Sequence, residues 1–359
     1  MDKIENKKSL LDQVRLSEGI EFECDENAIL AEYDIQEENK ASLAIKILSI
    51  FGGFLASLTF LGFIGIGGLF NSGGALSILG FIFVFAAILL NKAYDKLITD
   101  TFSISIYVIG FALILFGLLE LNFDKNIGLL LIISIAFGSL FITQNYIFSF
   151  ISVLTISGNL LALILLNNNA NLIHVYIAIV AVLISYLFLN EAKIIASYKK
   201  LSKLYFPVRI GLIFSLLAGL IIVGKRSFIY MSIEQNYIWI SSIVLFIVVF
   251  YIVKNIITIN EITDSKKKII IYSLTALVLI PTLFSPSISG AIVIILLSFL
   301  ANYRTGLAIG ILSIIYFISQ YYYDLNFTLL TKSILLFSSG IVFILCYLFI
   351  SKNSINEKI

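Results

Sequence analysis

The chain has 359 residues, of which 60% are hydrophobic and 13% are charged, with a formal net charge of +2. Soluble domains are close to half apolar and a quarter charged, and a soluble fold of this length still exposes about a quarter of its unfolded surface. The composition therefore excludes a soluble globular protein and predicts a chain that is solvated by lipid.

Helices, rather than strands, are predicted to cross the membrane. A transmembrane barrel needs alternating apolar and polar residues, whereas the apolar runs here are nearly continuous, as in 269–280 and 335–350. A helix also satisfies its own backbone hydrogen bonds in hydrocarbon. We expect an all-α polytopic membrane protein, a bundle of about 12 transmembrane helices with a short polar N-terminal cytoplasmic segment.

The predicted spans, taken in chain order, are apolar runs long enough to cross about 30 Å of hydrocarbon. Two stretches are ambiguous, since 127–166 and 269–301 could each be two short spans or one span with a re-entrant piece; Ser285, Pro286 and Ser287 favour a turn in the second. The segments are 45–67, 74–91, 102–121, 127–143, 146–166, 172–190, 208–224, 238–258, 269–285, 287–301, 305–322 and 329–350.

The distribution of basic residues predicts the orientation. With the N-terminus inside, 20 of the 24 Lys and Arg residues fall on the cytoplasmic side and 4 on the outer side. This asymmetry is typical of inner-membrane proteins and favours an even number of spans. We therefore expect a multi-pass protein of the bacterial inner membrane with both termini in the cytoplasm. Lys225 and Arg226 are the one local exception.

Three regions follow from these assignments: an acidic cytoplasmic segment at 1–44, the helix bundle at 45–350 and a short cytoplasmic tail at 351–359. Residues 1–40 carry 12 acidic and 5 basic side chains. This segment is either a docking handle for a partner or a solvated, partly ordered tail. A basic loop, 191–207, divides the bundle into possible halves at 45–190 and 208–350.

Signatures of catalysis and cofactor binding are scarce. The single histidine, His174, stands at the start of a span and is interpreted as a residue of the membrane interface, and a His-based metal site or triad needs more partners. No phosphate-binding G-x-x-x-x-G-K-[ST] motif occurs. We predict no enzyme activity, no metal and no cofactor. The expected partners are the lipid bilayer and other membrane proteins, with no nucleic acid.

Ionisable side chains at membrane depth are candidates for function because desolvation makes them unfavourable. A polar site on the outer face is one interpretation, in which a lysine binds an anionic group and carboxylates balance its charge. The other interpretation is that these side chains only extend to the lipid headgroups. The candidate residues are Glu120, Asp324, Thr328, Lys332 and Ser333.

Two other patterns predict packing rather than chemistry. Tyr321, Tyr322 and Tyr323 would form part of an aromatic belt at the membrane interface. Gly306 and Gly310 form a G-x-x-x-G pattern, which is common where helices pack closely.

The last third of the chain resembles a bacterial membrane family catalogued as domain of unknown function 4401. The first span and the polar segment before it also fit the family's layout, through Lys46, Gly52 and Gly53. The resemblance implies association with two other membrane families of unknown function, and hence a multiprotein envelope complex. It rests on Tyr321-Tyr322, Thr328-Leu329-Leu330, Lys332-Ser333 and Gly340.

Three functions remain open. A non-catalytic subunit of an inner-membrane complex predicts a sealed interior and an exposed groove of small or aromatic residues. A transporter or lipid-handling permease predicts a midplane cavity with polar side chains from both halves. An intramembrane enzyme predicts that Glu120, Asp324 and Lys332 converge in a cleft.

Overall fold

The computed structural model describes residues 43–68, 72–93, 97–143, 145–197, 199–224 and 237–324, with a few isolated positions between 328 and 344. Within these ranges the chain forms helices and no strand. The helices are α1 (Leu43–Ile66), α2 (Gly73–Ala93), α3 (Leu97–Glu120), α4 (Lys125–Ile142), α5 (Tyr146–Leu166), α6 (Leu172–Leu189), α7 (Glu191–Ser197), α8 (Lys199–Gly224), α9 (Ile238–Ile259), α10 (Ser265–Leu279), a 3-10 helix (Ile280–Phe284), α11 (Pro286–Leu300) and α12 (Arg304–Asp324).

The predicted all-helical membrane architecture is confirmed for the described part of the chain. Nine segments there are long and apolar enough to cross a membrane, counting α10 together with the 3-10 helix as one segment. Two further apolar helices lie outside this count: α1, with 24 residues, and the shorter α11, with 15 residues. The count of twelve spans stays a prediction. The segment 1–44 and the last predicted span, 329–350, lie mostly outside the described residues.

The ambiguous stretch 127–166 forms two helices, α4 and α5, and a polar residue caps the start of each. The side chain of Asp124 accepts hydrogen bonds from the backbone N–H groups of Asn126 and Ile127, at 2.8 and 3.2 Å. Asn145 caps α5 in the same way. Each cap satisfies backbone donors that would otherwise lack a partner at a helix start.

A break at Ser285 divides the second ambiguous stretch, 269–301. The chain passes from α10 into the 3-10 helix, turns at Ser285 and begins α11 with Pro286. Proline is favoured at the first helical position because its missing N–H is not needed there. The predicted turn at this position is therefore present.

In the basic segment 191–207, the described residues 191–197 and 199–207 are helical, and the prediction of a loop there was wrong. These residues form α7 and the first turns of α8, with Pro207 inside the longer helix. Charge alone does not exclude a helix, because lysine, glutamate and alanine are good helix formers.

The buried apolar residues divide the bundle into two helix groups. In the first group, α2, α3, α4 and the start of α5 share one core, and α1 packs onto α2 and α3. In the second group, α6, α8, α9, α11 and α12 enclose a larger core, to which α5 contributes Leu161. This division falls between α5 and α6. The halves 45–190 and 208–350 stay a prediction.

Glycines hold α2 and α3 in backbone contact. Gly73 and Gly80 on α2 face Gly110 and Gly117 on α3, with the same seven-residue spacing on both helices. A Cβ added at Gly80 would lie 2.7 Å from the backbone N of Ile114, and one at Gly110 would lie 2.9 Å from the backbone N of Val84. Close approach through small residues is a main source of helix association in membranes.

We expect Gly80→Ala to destabilise the protein by about 1–3 kcal/mol, because the added methyl group overpacks against a backbone that cannot move aside. Gly158→Ala is the matched control, since a Cβ there meets nothing within 4 Å. Thermal denaturation in mild detergent, followed by circular dichroism, measures both variants. Equal midpoints for the two would show that the α2–α3 contact is not tight.

Candidate functional site

The short turns between helices place the helix ends on two faces of the bundle. One face, which we call the cavity face because a polar cavity opens there, contains the helix ends near Glu120, Gly224, Ser285 and Asp324. The basic face carries the opposite ends, including α7 and the starts of α8 and α12.

The predicted outer-face residues occupy different surroundings. Glu120 ends α3 in the first group and is exposed, whereas Asp324 ends α12 in the second group, is exposed, and lines a cavity. Thr328 and Ser333 are exposed, and the hydroxyl of Thr328 lies 2.8 Å from that of Thr331. Lys332 lies outside the described residues, so the proposed sharing of a site among these groups stays a prediction.

The other two predicted sets lie along α12. Tyr321 and Tyr322 are half-buried, whereas Tyr323 is 78% exposed. Gly306 and Gly310 face α11, and a Cβ added at Gly310 would lie 2.7 Å from Cγ1 of Ile295. The belt and packing roles of these residues stay predictions.

A polar cavity of about 90 Å³ opens on the cavity face, where five elements of the second group meet. Its described lining combines hydroxyl, amide and carboxylate groups with aromatic and aliphatic side chains. The lining residues are Val223, Gly224, Ile238, Phe284, Ser285, Pro286, Ser287, Phe317, Gln320, Tyr321 and Asp324.

Gln320 is the least satisfied polar group of this cavity. Both amide atoms of its side chain are buried and have no hydrogen-bond partner within the described chain. A Cβ added at Gly224 would lie 3.6 and 3.7 Å from these atoms, so the amide faces bare backbone. A buried amide without a partner is unfavourable by about 1–3 kcal/mol. The geometry therefore suits a ligand or water that bonds to Gln320.

Ser287 shapes the same cavity from the first turn of α11. Its hydroxyl donates to the backbone oxygen of Leu220 at 2.8 Å, which joins α11 to α8. The oxygen lone pairs of Ser287 stay available as acceptors. The sequence predicted a turn at Ser285, Pro286 and Ser287. It did not predict that α8 and α12 lie beside this turn and line the same cavity.

A second polar cluster, centred on Arg209, lies on the basic face. Arg209 is only 4% exposed, and its Nη1 donates to Oε1 of Glu191 at 3.2 Å. Its guanidinium carbon lies 3.9 Å from the ring centroid of Tyr303. The rings of Phe188, Tyr205 and Phe206 follow at 5.1 to 5.4 Å.

Cation–π attraction and the ion pair together offset the desolvation of the Arg209 charge. The cluster joins α6, α7, α8 and the residue before α12, so it is a structural anchor. From the sequence, Arg209 was only one of the basic residues assigned to the cytoplasmic side. Its spacing of three and four residues from Phe206 and Tyr205 was the available signal.

An apolar groove of about 660 Å³ follows the boundary between the two helix groups; we call it the seam groove. Helices α4, α5, α6 and α8 form its walls, and none of its lining residues is charged. The lining is Phe137, Leu140, Val153, Ile156, Ser157, Leu160, Leu163, Ile164, Leu172, Val175, Tyr176, Ile179, Val180, Leu183, Tyr186, Leu187, Val208 and Leu212.

His174 is buried between helices near the start of α6, and its interpretation as a residue of the membrane interface stays a prediction. It is 3% exposed, and its Nδ1 lies 2.6 Å from the hydroxyl of Ser241 on α9. This hydrogen bond satisfies one ring nitrogen and joins α6 to α9. Among the described residues, no group of three or more His, Cys, Asp or Glu side chains could hold a metal ion.

A family model described as Domain of unknown function (DUF4401) matches residues 42–353. The predicted resemblance is thereby confirmed. No curated protein and no solved structure matches the chain.

We expect Arg209→Lys to destabilise the protein by about 2 kcal/mol, because an ammonium group cannot stack on Tyr303 and bond to Glu191 as the planar guanidinium does. Arg304→Lys is the matched control at an exposed site, with an expected change within about 0.5 kcal/mol. Thermal denaturation in detergent compares the two. A loss as large at Arg304 would contradict the special role of the Arg209 cluster.

Proposed function

Because the chain belongs to the DUF4401 family, whose function is unknown, we propose a function from the geometry: a non-catalytic subunit of a bacterial inner-membrane complex. The observation that carries this proposal is the seam groove. Its proposed occupant is an apolar transmembrane helix of another protein.

The shape of the seam groove suits a helix. Its lining on α6 runs from Leu172 to Leu187, which is about 22 Å at 1.5 Å per residue. The groove therefore follows most of the length of a membrane-spanning helix. Because it lies between α4, α5, α6 and α8, a docked helix would contact both groups at once.

The chemistry of the seam groove supports the same occupant. Helices associate in lipid by close packing, which small residues favour. Ser157 is the one small residue of the described groove lining, and the other lining side chains are aliphatic or aromatic. Aliphatic walls without a charged side chain favour a partner helix that is apolar along the contact.

The alternative functions have less support. A permease needs a polar cavity from both halves at the midplane, whereas the polar cavity here is about 90 Å³ and its described lining comes from the second group. An intramembrane enzyme needs converging catalytic groups, whereas Glu120 does not line the cavity that Asp324 lines.

We also propose that the basic face lies in the cytoplasm. Of the described Lys and Arg residues at helix ends, the cavity face carries Lys125. The others cluster on the opposite face, as positive-inside topology requires. They are Lys46, Lys92, Lys193, Lys199, Lys200, Lys203, Lys254, Lys266, Lys267, Lys268 and Arg304, together with Arg209 inside α8.

Site-specific photo-crosslinking in membranes tests the docking proposal. A photoreactive residue at Ile179, in the seam groove, should give one discrete product with a second membrane protein. The same residue at Ile247, equally apolar and exposed but outside the groove, should not.

Ile179→Trp should remove the co-purifying partner, because the larger side chain obstructs the groove, whereas Ile247→Trp should retain it. Crosslinked products with lipid alone at Ile179, or equal crosslinking to protein at Ile179 and Ile247, would contradict the proposal.

Cysteine labelling tests the orientation in a background that lacks Cys24 and Cys346. Ser72→Cys on the cavity face should react with a membrane-impermeant maleimide in intact cells, and Ser265→Cys on the basic face should react only after the membrane is opened. The reverse pattern would place the basic face outside.

A further inference from the structure

The polar cavity is separate from the seam groove, since no residue lines both. We propose that it binds a small organic ammonium group, carried either by a lipid headgroup or by a soluble amine. The proposal does not depend on the docking of a partner helix.

Charge is the first reason for this ligand class. Asp324 is the only charged side chain among the described residues that line the cavity. It makes no recorded ion pair within the described chain, and it is exposed at the end of α12. A carboxylate at the opening attracts a cation and gives it a partner as it loses water.

Hydrogen bonding is the second reason. The cavity offers acceptors from two helices and the turn between elements: the amide oxygen of Gln320 on α12, the hydroxyl oxygen of Ser287 on α11 and that of Ser285 in the turn before α11. The hydroxyl hydrogen of Ser287 is already donated to Leu220. An ammonium group that carries N–H has only donors, so it complements these acceptors. The amide nitrogen of Gln320, itself a donor, would bond to water or to another part of the ligand.

Aromatic rings are the third reason. Phe284, Phe317 and Tyr321 line the cavity, and they come from the 3-10 helix and from α12. The negative face of an aromatic ring attracts ammonium groups, including quaternary ones. Phe317 is 2% exposed, so its position is fixed by the core beneath it.

The volume limits the size of the ligand. A cavity of about 90 Å³ has the volume of about three molecules of liquid water. It therefore admits the ammonium end of a molecule such as ethanolamine, with the remainder outside. The competing ligand class is an anion, because Lys225 and Arg226 follow Gly224 in the sequence, although both lie outside the described residues.

Calorimetric titration of the purified full chain in detergent tests whether the cavity binds a soluble amine. The ligands are ethanolamine hydrochloride, tetramethylammonium chloride and inorganic phosphate. Wild type should bind at least one ammonium compound and not phosphate. Gln320→Leu should weaken ammonium binding about tenfold, since it removes a buried acceptor to a charged group. Asp324→Asn should weaken it about threefold to fivefold, as expected for an exposed charge pair.

To test whether a lipid headgroup is the ligand, the same chain is placed in nanodiscs of phosphatidylglycerol, with and without phosphatidylethanolamine. A midpoint of thermal denaturation that rises with phosphatidylethanolamine in wild type, and rises less in Gln320→Leu, identifies a headgroup as the source. Binding of soluble amines without this lipid effect identifies a soluble ligand.

Glu261→Gln is the control, because it removes an exposed carboxylate outside the cavity, on the opposite face of the bundle. It should bind ammonium compounds as wild type does. If neither the titration nor the nanodisc measurement shows ammonium binding, the cavity holds water alone and the proposal is overturned. Phosphate binding that strengthens in Asp324→Asn would overturn it in favour of an anion site.

Discussion

A hydroxyl or amide group buried between membrane helices has no water to bond, so it must find its partner within the chain. This constraint organises the interior. Tyr107 on α3 lies 2.7 Å from the hydroxyl of Ser139 on α4 and 3.0 Å from that of Ser152 on α5. Ser157 and Ser215 join α5 to α8 at 2.6 Å. Side-chain hydrogen bonds thus fix which helices are neighbours, and the packing of both groups depends on them.

Among the described residues, the exceptions to this constraint are Nε2 of His174, Nε of Arg209, the amide of Gln320 and the hydroxyls of Ser77, Ser149 and Ser298. Two of these exceptions are informative. The side chain of Gln320 is buried without a partner in the described chain, and it lies in the polar cavity. Arg209 has an unpartnered Nε, but aromatic rings surround its guanidinium and Glu191 balances its charge. The first exception favours an external partner, whereas the second favours a fixed anchor.

Apolar length and charge were enough to predict most helix boundaries, because lipid imposes a minimum length on each span. The predicted 146–166 coincides with α5. The same rules could not predict the burial of His174, since its partner Ser241 lies 67 positions further along the chain. The rules on apolar length and charge identified Asp324 as a candidate. They missed Gln320, four residues earlier, because a glutamine side chain is uncharged. Side-chain partners across helices depend on helix rotation, which periodicity in uniformly apolar runs does not reveal.

The shortness of α11 has an electrical consequence. Fifteen residues extend about 22 Å, whereas the hydrocarbon layer is about 30 Å thick. Helices α8, α9 and α12 pack around α11, and the polar cavity lies at its first turn. If the cavity lies within the membrane, a charged group that enters it would cross part of the transmembrane voltage before it binds. Occupancy of the cavity would then respond to the energised state of the cell as well as to ligand concentration.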